Sequence, residues 1–274
     1  MKIIIPMAGT GNRFVEKGYT DPKPLIRVNG KRIIEYILDM FDSSDEFVFI
    51  CNDTHLETTD MREVLLALKP NAVIISMPQH KLGPVHTVKA AYDYIQDDEE
   101  VIVSYCDNPH IWDRQDFLAT VARSRLDGCV LTHTDFHPHT LANTKMAFVK
   151  PAREYPLIDE IKEKACYTDN PMNEHASTGM YYFKRGSDIK KYFDLAVVRD
   201  IQYNGEYYVT LVYNLLLEDG LRVGYYDTPF VTVFGTPEEV ENFAAWATIL
   251  KGKQVKNEDD LLRCYLYWEA YHNG

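Results

Sequence analysis

An α/β fold, with a Rossmann-like mixed, mostly parallel sheet flanked by helices, is what this chain predicts. Three observations carry that prediction. Over residues 2–105, apolar runs of strand length alternate with segments of helical period, the pattern of βαβ units feeding one parallel sheet. Beyond residue 125 the alternation gives way to closely spaced strand-like stretches, which read as a mixed extension of that sheet. The 274 residues are 46% hydrophobic and 26% charged, enough for a large core and too apolar for a disordered chain.

Lys2–Pro6 is a short buried strand. Arg32–Phe41 sets Ile33, Ile34, Ile37, Leu38 and Phe41 on one helical face. Glu46–Cys51 is a strand, Met61–Leu68 a helix and Ala72–Ser76 another strand. Val85–Ile95 is a helix striped by Val88, Ala91, Tyr92 and Ile95, and Val101–Tyr105 is a buried strand. After a helix near Phe117–Ser124 come strands at Gly128–Thr134, Ala147–Lys150, Ile158–Lys164 and Gly179–Lys184. A helix near Tyr208–Leu217 is followed by strands at Leu221–Tyr226 and Phe230–Phe234. Pro237 with Glu238 and Glu239 behind it marks a helix start. It opens a C-terminal helical extension, Pro237–Leu250 and Asp259–Tyr271.

Charge and composition exclude several classes. The net charge is −12, which argues against a general nucleic-acid binder. Within that acidic chain the first 32 residues hold seven Lys or Arg against two acids, a local basic segment suited to a compact anion such as a phosphate chain, or else solvated. No apolar run approaches the roughly 18 residues of a membrane span, and the N-terminus lacks a signal-peptide pattern. Five scattered cysteines, with no CxxC pair, point to reduced thiols in a cytoplasm. The aromatic tail, Tyr265, Tyr267, Trp268 and Tyr271, falls at helical spacings and reads as core or a subunit contact, so a homo-oligomer stays open.

The chemistry begins at Ile5–Phe14 (IPMAGTGNRF), where a strand runs straight into a glycine loop. Gly9 and Gly11 let backbone N–H groups approach a phosphate without Cβ interference. Neither a GxxxxGK[ST] loop nor a full GxGxxG is present, since position 14 is Phe. Arg13 follows the loop, and Lys23 stands ten residues further on between Pro22 and Pro24. Those prolines restrain its backbone, and Pro24 pushes it toward the extended region. Taken alone, this is equally a proline turn carrying a surface lysine.

Together, AGTGNRF and the following DPKPLIRVNGKR resemble the nucleotidyltransferases that make nucleotide sugars and related activated alcohols. Their pattern is AGxGxRF, about ten residues, then PKPLIxVxGKP; here Arg32 stands where that family usually has Pro. The resemblance implies a glycosyltransferase-A-like fold in a single domain, 1–274. Residues 1–110 would form its nucleotide-binding half, 111–236 its acceptor-binding half and 237–274 its C-terminal helices. It implies that Ala8, Gly9, Thr10 and Gly11 cradle an NTP (CTP, UTP, dTTP or GTP), that Arg13 holds its phosphates, and that Lys23 is the central catalytic cation.

Further motifs follow the same resemblance. Gln79–Val88 joins a strand to a helix, and in the family this loop lines the base pocket. Gln79 would read the base edge and Gly83 would allow its close approach; the alternative is a plain turn with proline at a helix start. Strand Val101–Tyr105 ends at Cys106-Asp107-Asn108, and the family's Mg²⁺ position carries to Asp107; magnesium takes one or two carboxylates plus phosphate oxygens. Cys106 has no partner evident for a nucleophile. Glu163 and Lys164 resemble the acceptor-contacting E-K pair, Ser177, Thr178 and Gly179 the TG motif behind the acceptor pocket, and Asn204–Tyr208 the GE-Y segment opening a later helix. In a [WY]xDxGTP-like segment many members carry a second metal-binding Asp, where this chain has Val233; Asp227 is six residues upstream. His133, His137 and His139 look like a metal cluster, but Pro138 and the spacing argue against zinc; His137 or His139 on an acceptor phosphate, or a plain loop, are the other readings.

The expectation is a Mg²⁺-dependent nucleotidyltransferase acting on a phosphorylated small-molecule acceptor, a sugar 1-phosphate or another phosphate monoester. By resemblance its setting is capsule or surface-polysaccharide synthesis, with no nucleic-acid or membrane partner. A glycosyltransferase of the same fold, consuming an NDP-sugar, and a non-catalytic nucleotide-binding regulator are the alternatives.

Overall fold

Strands β1 (Lys2–Met7), β2 (Arg27–Val28), β3 (Lys31–Arg32), β4 (Glu46–Asn52), β5 (Val73–Met77) and β6 (Val101–Ser104) belong to the first part of the computed structural model, which describes residues 1–134 and 146–251. They are followed by β7 (His110–Ile111), β8 (Gly128–His133), β9 (Ala147–Pro151), β10 (Ile158–Glu163), β11 (His175–Phe183), β12 (Val223–Asp227) and β13 (Phe230–Val231). The helices are α1 (Asn12–Glu16), α2 (Ile33–Leu38), α3 (Asp53–Thr58), α4 (Met61–Leu68), α5 (Pro84–Lys89), α6 (Arg114–Ser124), α7 (Gly186–Val198), α8 (Val209–Glu218) and α9 (Pro237–Lys251).

The sheet is the predicted mixed one. Its main path is β10-β9-β11-β6-β1-β4-β5, with β8 also paired to β11 and β12 beside β8. β5, β4, β1 and β6 are mutually parallel, and β11 joins β6 antiparallel. Ile3, Ile4 and Ile5 are all fully buried, as a parallel strand covered on both faces requires. Ile4 packs into the core layer that includes Val85, Val88 and Phe193, whereas Ile3 and Ile5 pack into the opposite layer with Ile34, Ile37 and Leu65. A third cluster (Phe14, Ile26, Val28, Ile33, Tyr36, Phe234, Val240, Phe243) ties α1, the β2–β3 hairpin, α2 and the start of α9 together.

Several elements depart from expectation. Helix α7 was not foreseen. Val85–Ile95 divides into α5 and a 3₁₀ turn, Tyr92–Tyr94. Strand β11 starts four residues before the predicted Gly179, and only Phe230–Val231 of the predicted Phe230–Phe234 pairs. Lys23 is not in an extended segment: it opens a 3₁₀ turn, Lys23–Leu25, because Leu25 N donates to Pro22 O at 2.8 Å and Ile26 N to Lys23 O at 3.2 Å. Two local hydrogen bonds there outweigh the pre-proline preference. Asp259–Tyr271 and the His137/His139 segment lie outside the described residues. No helix among the described residues is long and apolar enough to cross a membrane.

Candidate active site

β1 and β6 are parallel neighbours, so the loops at their carboxyl ends open on the same edge of the sheet, where an open α/β sheet places its ligands. β1 delivers Ala8–Gly11, and β6 delivers Tyr105, Cys106 and Asp107. A cavity of about 530 Å³ lies there, lined by both loops and by Lys23, His80, Lys81, Gly83, Thr87, Glu206 and Tyr208. A second cavity of about 160 Å³ adjoins it, lined among others by Arg13, Glu163, Lys164, Ser177, Gly179 and Tyr181. Tyr105, Asp107 and Tyr208 belong to both walls, so Asp107 stands at the seam.

Lys23 Nζ donates to Asp107 Oδ2 across that seam. Both side chains are mostly shielded, 18% and 20% exposed. Burial works against the lysine's charge, but Asp107, Cys106 and Glu239 outweigh it and raise its pKa, so the ammonium is kept. Burial pushes the Cys106 thiol up to about 12, against the pull of Lys23. It is a protonated thiol at neutral pH, as its rejection as a nucleophile requires.

Around the larger cavity, His80 is locked. Leu82 N donates to His80 Nδ1 at 3.1 Å, which leaves the ring proton on Nε2, 3.1 Å from Thr87 Oγ1. Burial and neighbouring His86 lower its pKa, so the ring is neutral. Gly83, at φ 87°, closes this loop against the Tyr207 backbone. Tyr207 N donates to Leu82 O at 2.9 Å and Val85 N to Tyr207 O at 3.1 Å. A Cβ on Gly83 would meet Tyr207 N at 2.7 Å. The glycine therefore makes room for protein backbone.

On the smaller cavity, Glu163 ends β10 and is buried. Burial raises its pKa to about 7, although Thr210 Oγ1, donating at 2.6 Å, and neighbouring Lys164 pull it down. Lys164 Nζ donates to Tyr208 Oη at 2.5 Å and lies over the rings of Tyr203 and Tyr208. Ser177 Oγ accepts from Gly179 N (3.2 Å) and donates to Tyr181 Oη (3.0 Å). At Gly179 the ladder to β8 slips, and an added Cβ would stand 2.9 Å from Asn108 Nδ2. β11 can thus approach the Asp107 loop only with glycine there.

The site also depends on a distant segment. Thr232 N donates to Pro109 O at 2.8 Å and Phe234 N to Asp107 O at 2.7 Å. The strand pair β13–β7 continues this zipper, and fully buried Phe234 anchors it in the third core cluster. Gly235 and Glu239 are thereby held on the wall of the smaller cavity, beside Asp107.

Residues 3–165, more than half of the chain, match the model of the MobA-like NTP transferase domain. The chain belongs to that family. It is 26% identical over 227 residues to the bifunctional protein GlmU of Clostridioides difficile, covering 81% of this chain and 46% of that protein. GlmU of Thermosipho africanus is 23% identical over 220 residues, 77% of this chain and 42% of that one. The chain thus spans about half the length of the curated relatives it matches. Among solved structures, a nucleoside-diphosphate-sugar pyrophosphorylase from Vibrio cholerae superposes with a TM-score of 0.71 at 23% identity, over 89% of this chain and 99% of its own. The inositol-1-phosphate CTP transferase from T. maritima gives 0.63 at 16% identity, over 87% and 90%. The fold is therefore the glycosyltransferase-A-like one of nucleotidyltransferases.

In this MobA-like domain most residues singled out from sequence converge. Ala8, Gly9, Thr10, Gly11, Lys23 and Gly83 line the larger cavity, Arg13, Glu163, Lys164, Ser177 and Gly179 the smaller, and Asp107 both. Two do not face a cavity. Gln79 is exposed, with Asn52 Nδ2 donating to its Oε1 at 3.5 Å, while His80 and Lys81 take the lining positions. Thr178 is buried and donates to Leu131 O at 3.1 Å, inside the sheet. Sequence reasoning missed His55, Thr87, Met146 and Glu239 as lining residues. Of these only Glu239 left a signal, the T-x-x-E spacing from Thr236. Among the described residues no group of three or more His, Cys, Asp or Glu is placed to hold a metal ion.

Proposed function

We propose that this chain transfers a nucleotidyl group from an NTP to a phosphorylated small-molecule acceptor and releases pyrophosphate, with magnesium as cofactor. The observation that carries the reading is the seam: two adjoining cavities share Asp107, and Lys23 reaches it there. The nucleotide occupies the larger cavity, against residues 8–11 and Gly83, in the half formed by 1–110. The acceptor occupies the smaller one, against Glu163, Lys164, Ser177 and Gly179, in the half formed by 111–236.

The donor set fits a hard divalent ion. Asp107 offers a carboxylate at the seam, and Gly235 beside it carries no side chain; a Cβ there would fill space 3.8 Å from Asp107 Oδ2. When bound, magnesium would offset charge on the phosphate oxygens. The remaining work is positioning and electrostatics. An acceptor phosphate oxygen, anionic at neutral pH because the second phosphate pKa is about 6, attacks the α-phosphorus. The bond from that phosphorus to the oxygen bridging the β-phosphate breaks, and pyrophosphate departs with the electron pair. No general base is required. Lys23 exchanges Asp107 for the phosphates and stabilises charge developing at the α-phosphate, while Arg13, on the wall of the smaller cavity, forks onto phosphate oxygens from that side. By resemblance, the product would serve capsule or surface-polysaccharide synthesis.

A pyrophosphate-release assay with CTP, UTP, dTTP and GTP against a panel of sugar 1-phosphates and other phosphate monoesters tests this. Release that needs both an NTP and an acceptor supports it. Consumption of an NDP-sugar without pyrophosphate identifies a glycosyltransferase, and nucleotide binding without turnover in any pair identifies a regulator; either outcome overturns the proposal.

A further inference from the structure

We infer that Glu239 is the second carboxylate that holds the divalent ion, in place of the one that Val233 lacks. The inference rests on the proposed metal role of Asp107. Val233 lines the smaller cavity, at the position to which the resemblance assigns a carboxylate in many members. Two residues on, Gly235 leaves open a space that three side chains border. A Cβ on Gly235 would come 3.2 Å from Glu239 Oε2, 3.5 Å from Val233 Cγ1 and 3.8 Å from Asp107 Oδ2. One carboxylate oxygen from each acid therefore faces the same small volume.

Glu239 is aimed at that volume by the start of α9. Thr236 N donates to Glu239 Oε2 at 2.8 Å, and Glu239 N donates back to Thr236 Oγ1 at 3.3 Å. This reciprocal pair is a capping box. It orders the carboxylate in advance, which spares the entropy of ordering it when the ion arrives. The backbone zipper from Thr232 and Phe234 to Pro109 and Asp107 fixes the distance between the two acids. Two carboxylates with phosphate oxygens and water completing the shell is the donor set magnesium prefers.

The competing explanation is that Glu239 only caps the helix. Glu239→Gln separates the two, because glutamine serves equally in a capping box but is a poor ligand for a hard cation. The measurement is Mn²⁺ binding by electron paramagnetic resonance and calorimetry on the full chain. It is made in the presence of inorganic pyrophosphate, which any NTP yields, so the base need not be known. Glu239→Gln should weaken Mn²⁺ at least tenfold with its melting temperature kept, Glu238→Gln should leave it within twofold, and Val233→Asp combined with Glu239→Gln should restore it. If Glu239→Gln binds Mn²⁺ within twofold of wild type while Asp107→Asn loses it, the Glu239 assignment is overturned and the Asp107 reading survives. If the double variant stays as weak as Glu239→Gln although folded, the carboxylate acts elsewhere than at this volume, which also overturns it. No saturable Mn²⁺ binding by wild type overturns both readings together.

Discussion

Lys23 holds a cation beside a carboxylate at the boundary of two cavities, and its replacement reads its role directly. Lys23→Ala should lower turnover a hundredfold or more with folding intact, since removing one group aimed at developing phosphate charge costs about 3–4 kcal/mol of barrier. Retention of a third of the activity would contradict that role. Glu163 gives a second residue-scale prediction. Burial raises its pKa from the ordinary 4.5 to about 7, so the folded state binds a proton the unfolded chain has released between those pH values. Its contribution is favourable below about pH 4.5 and is lost as pH rises through 7, up to about 3 kcal/mol. Glu163→Gln should therefore melt several degrees above wild type at pH 8 and close to it at pH 4.5, as thermal unfolding at the two pH values would show; equal differences at both would refute the burial argument. Lys23 stood out in sequence because it follows the glycine loop and Arg13 within a PKPL segment. Glu239 was not, because a T-x-x-E spacing is fully explained by a helix cap, and only the zipper to Asp107 shows what else its carboxylate faces.

At the scale of elements, the strap from Leu82 to Val85 onto Tyr207 holds the larger cavity's wall. Gly83→Ala would put a Cβ 2.7 Å from Tyr207 N, at a φ of 87° that a side chain rarely tolerates. It should destabilise the protein by about 1–3 kcal/mol and raise the NTP Michaelis constant several-fold, measured by urea unfolding and steady-state kinetics; an unchanged Michaelis constant would mean that the strap does not shape the nucleotide site. The parallel half of the sheet was readable because strands buried on both faces are continuous apolar runs, as at Ile3–Ile5 and Val101–Val103. Helix α7 was missed although Ile189, Tyr192, Phe193 and Ala196 recur at helical spacing and are buried. Its start carries only a weak signal, Asp188 in the first turn: the flanking residue is Arg185, no side chain caps it, and the first helical residue is Gly186. The start of α9 was found because Pro237 is followed by Glu238 and Glu239, a proline and two acids in the first turn. Gln79 was misplaced because the turn after β5 gives the wall to His80 and Lys81, and sequence spacing does not fix the facing of a loop side chain.

Across the whole molecule, buried titratable groups pull in opposite directions with pH. His110 is buried, its Nδ1–H donates to Asn108 O at 3.0 Å, and its Nε2 has no hydrogen-bond partner among the described residues. Burial lowers its pKa from 6.5 to about 4, against the help of Asn108. Its neutral form thus stabilises the fold above about pH 6.5, and up to about 3 kcal/mol is lost as pH falls toward 4; His55, His80 and His86 shift in the same direction, chiefly through burial. Glu163 gains over the same window and opposes the histidines, so Glu163→Gln should lose stability more steeply than wild type on acidification from pH 6.5 to 4.5, as chemical unfolding along a pH series would show. Parallel curves would mean that Glu163 does not carry the raised pKa its burial implies. The claim that unites these scales is that an acceptor phosphate oxygen becomes bonded to the nucleotide's α-phosphorus at the Asp107 seam. Phosphorus NMR of a turnover run with an acceptor whose phosphate oxygens are ¹⁸O tests it most directly. The account predicts ¹⁸O in the bridge between the two phosphorus atoms of the product, with an isotope shift on both signals; an α-phosphorus that carries no label would contradict it.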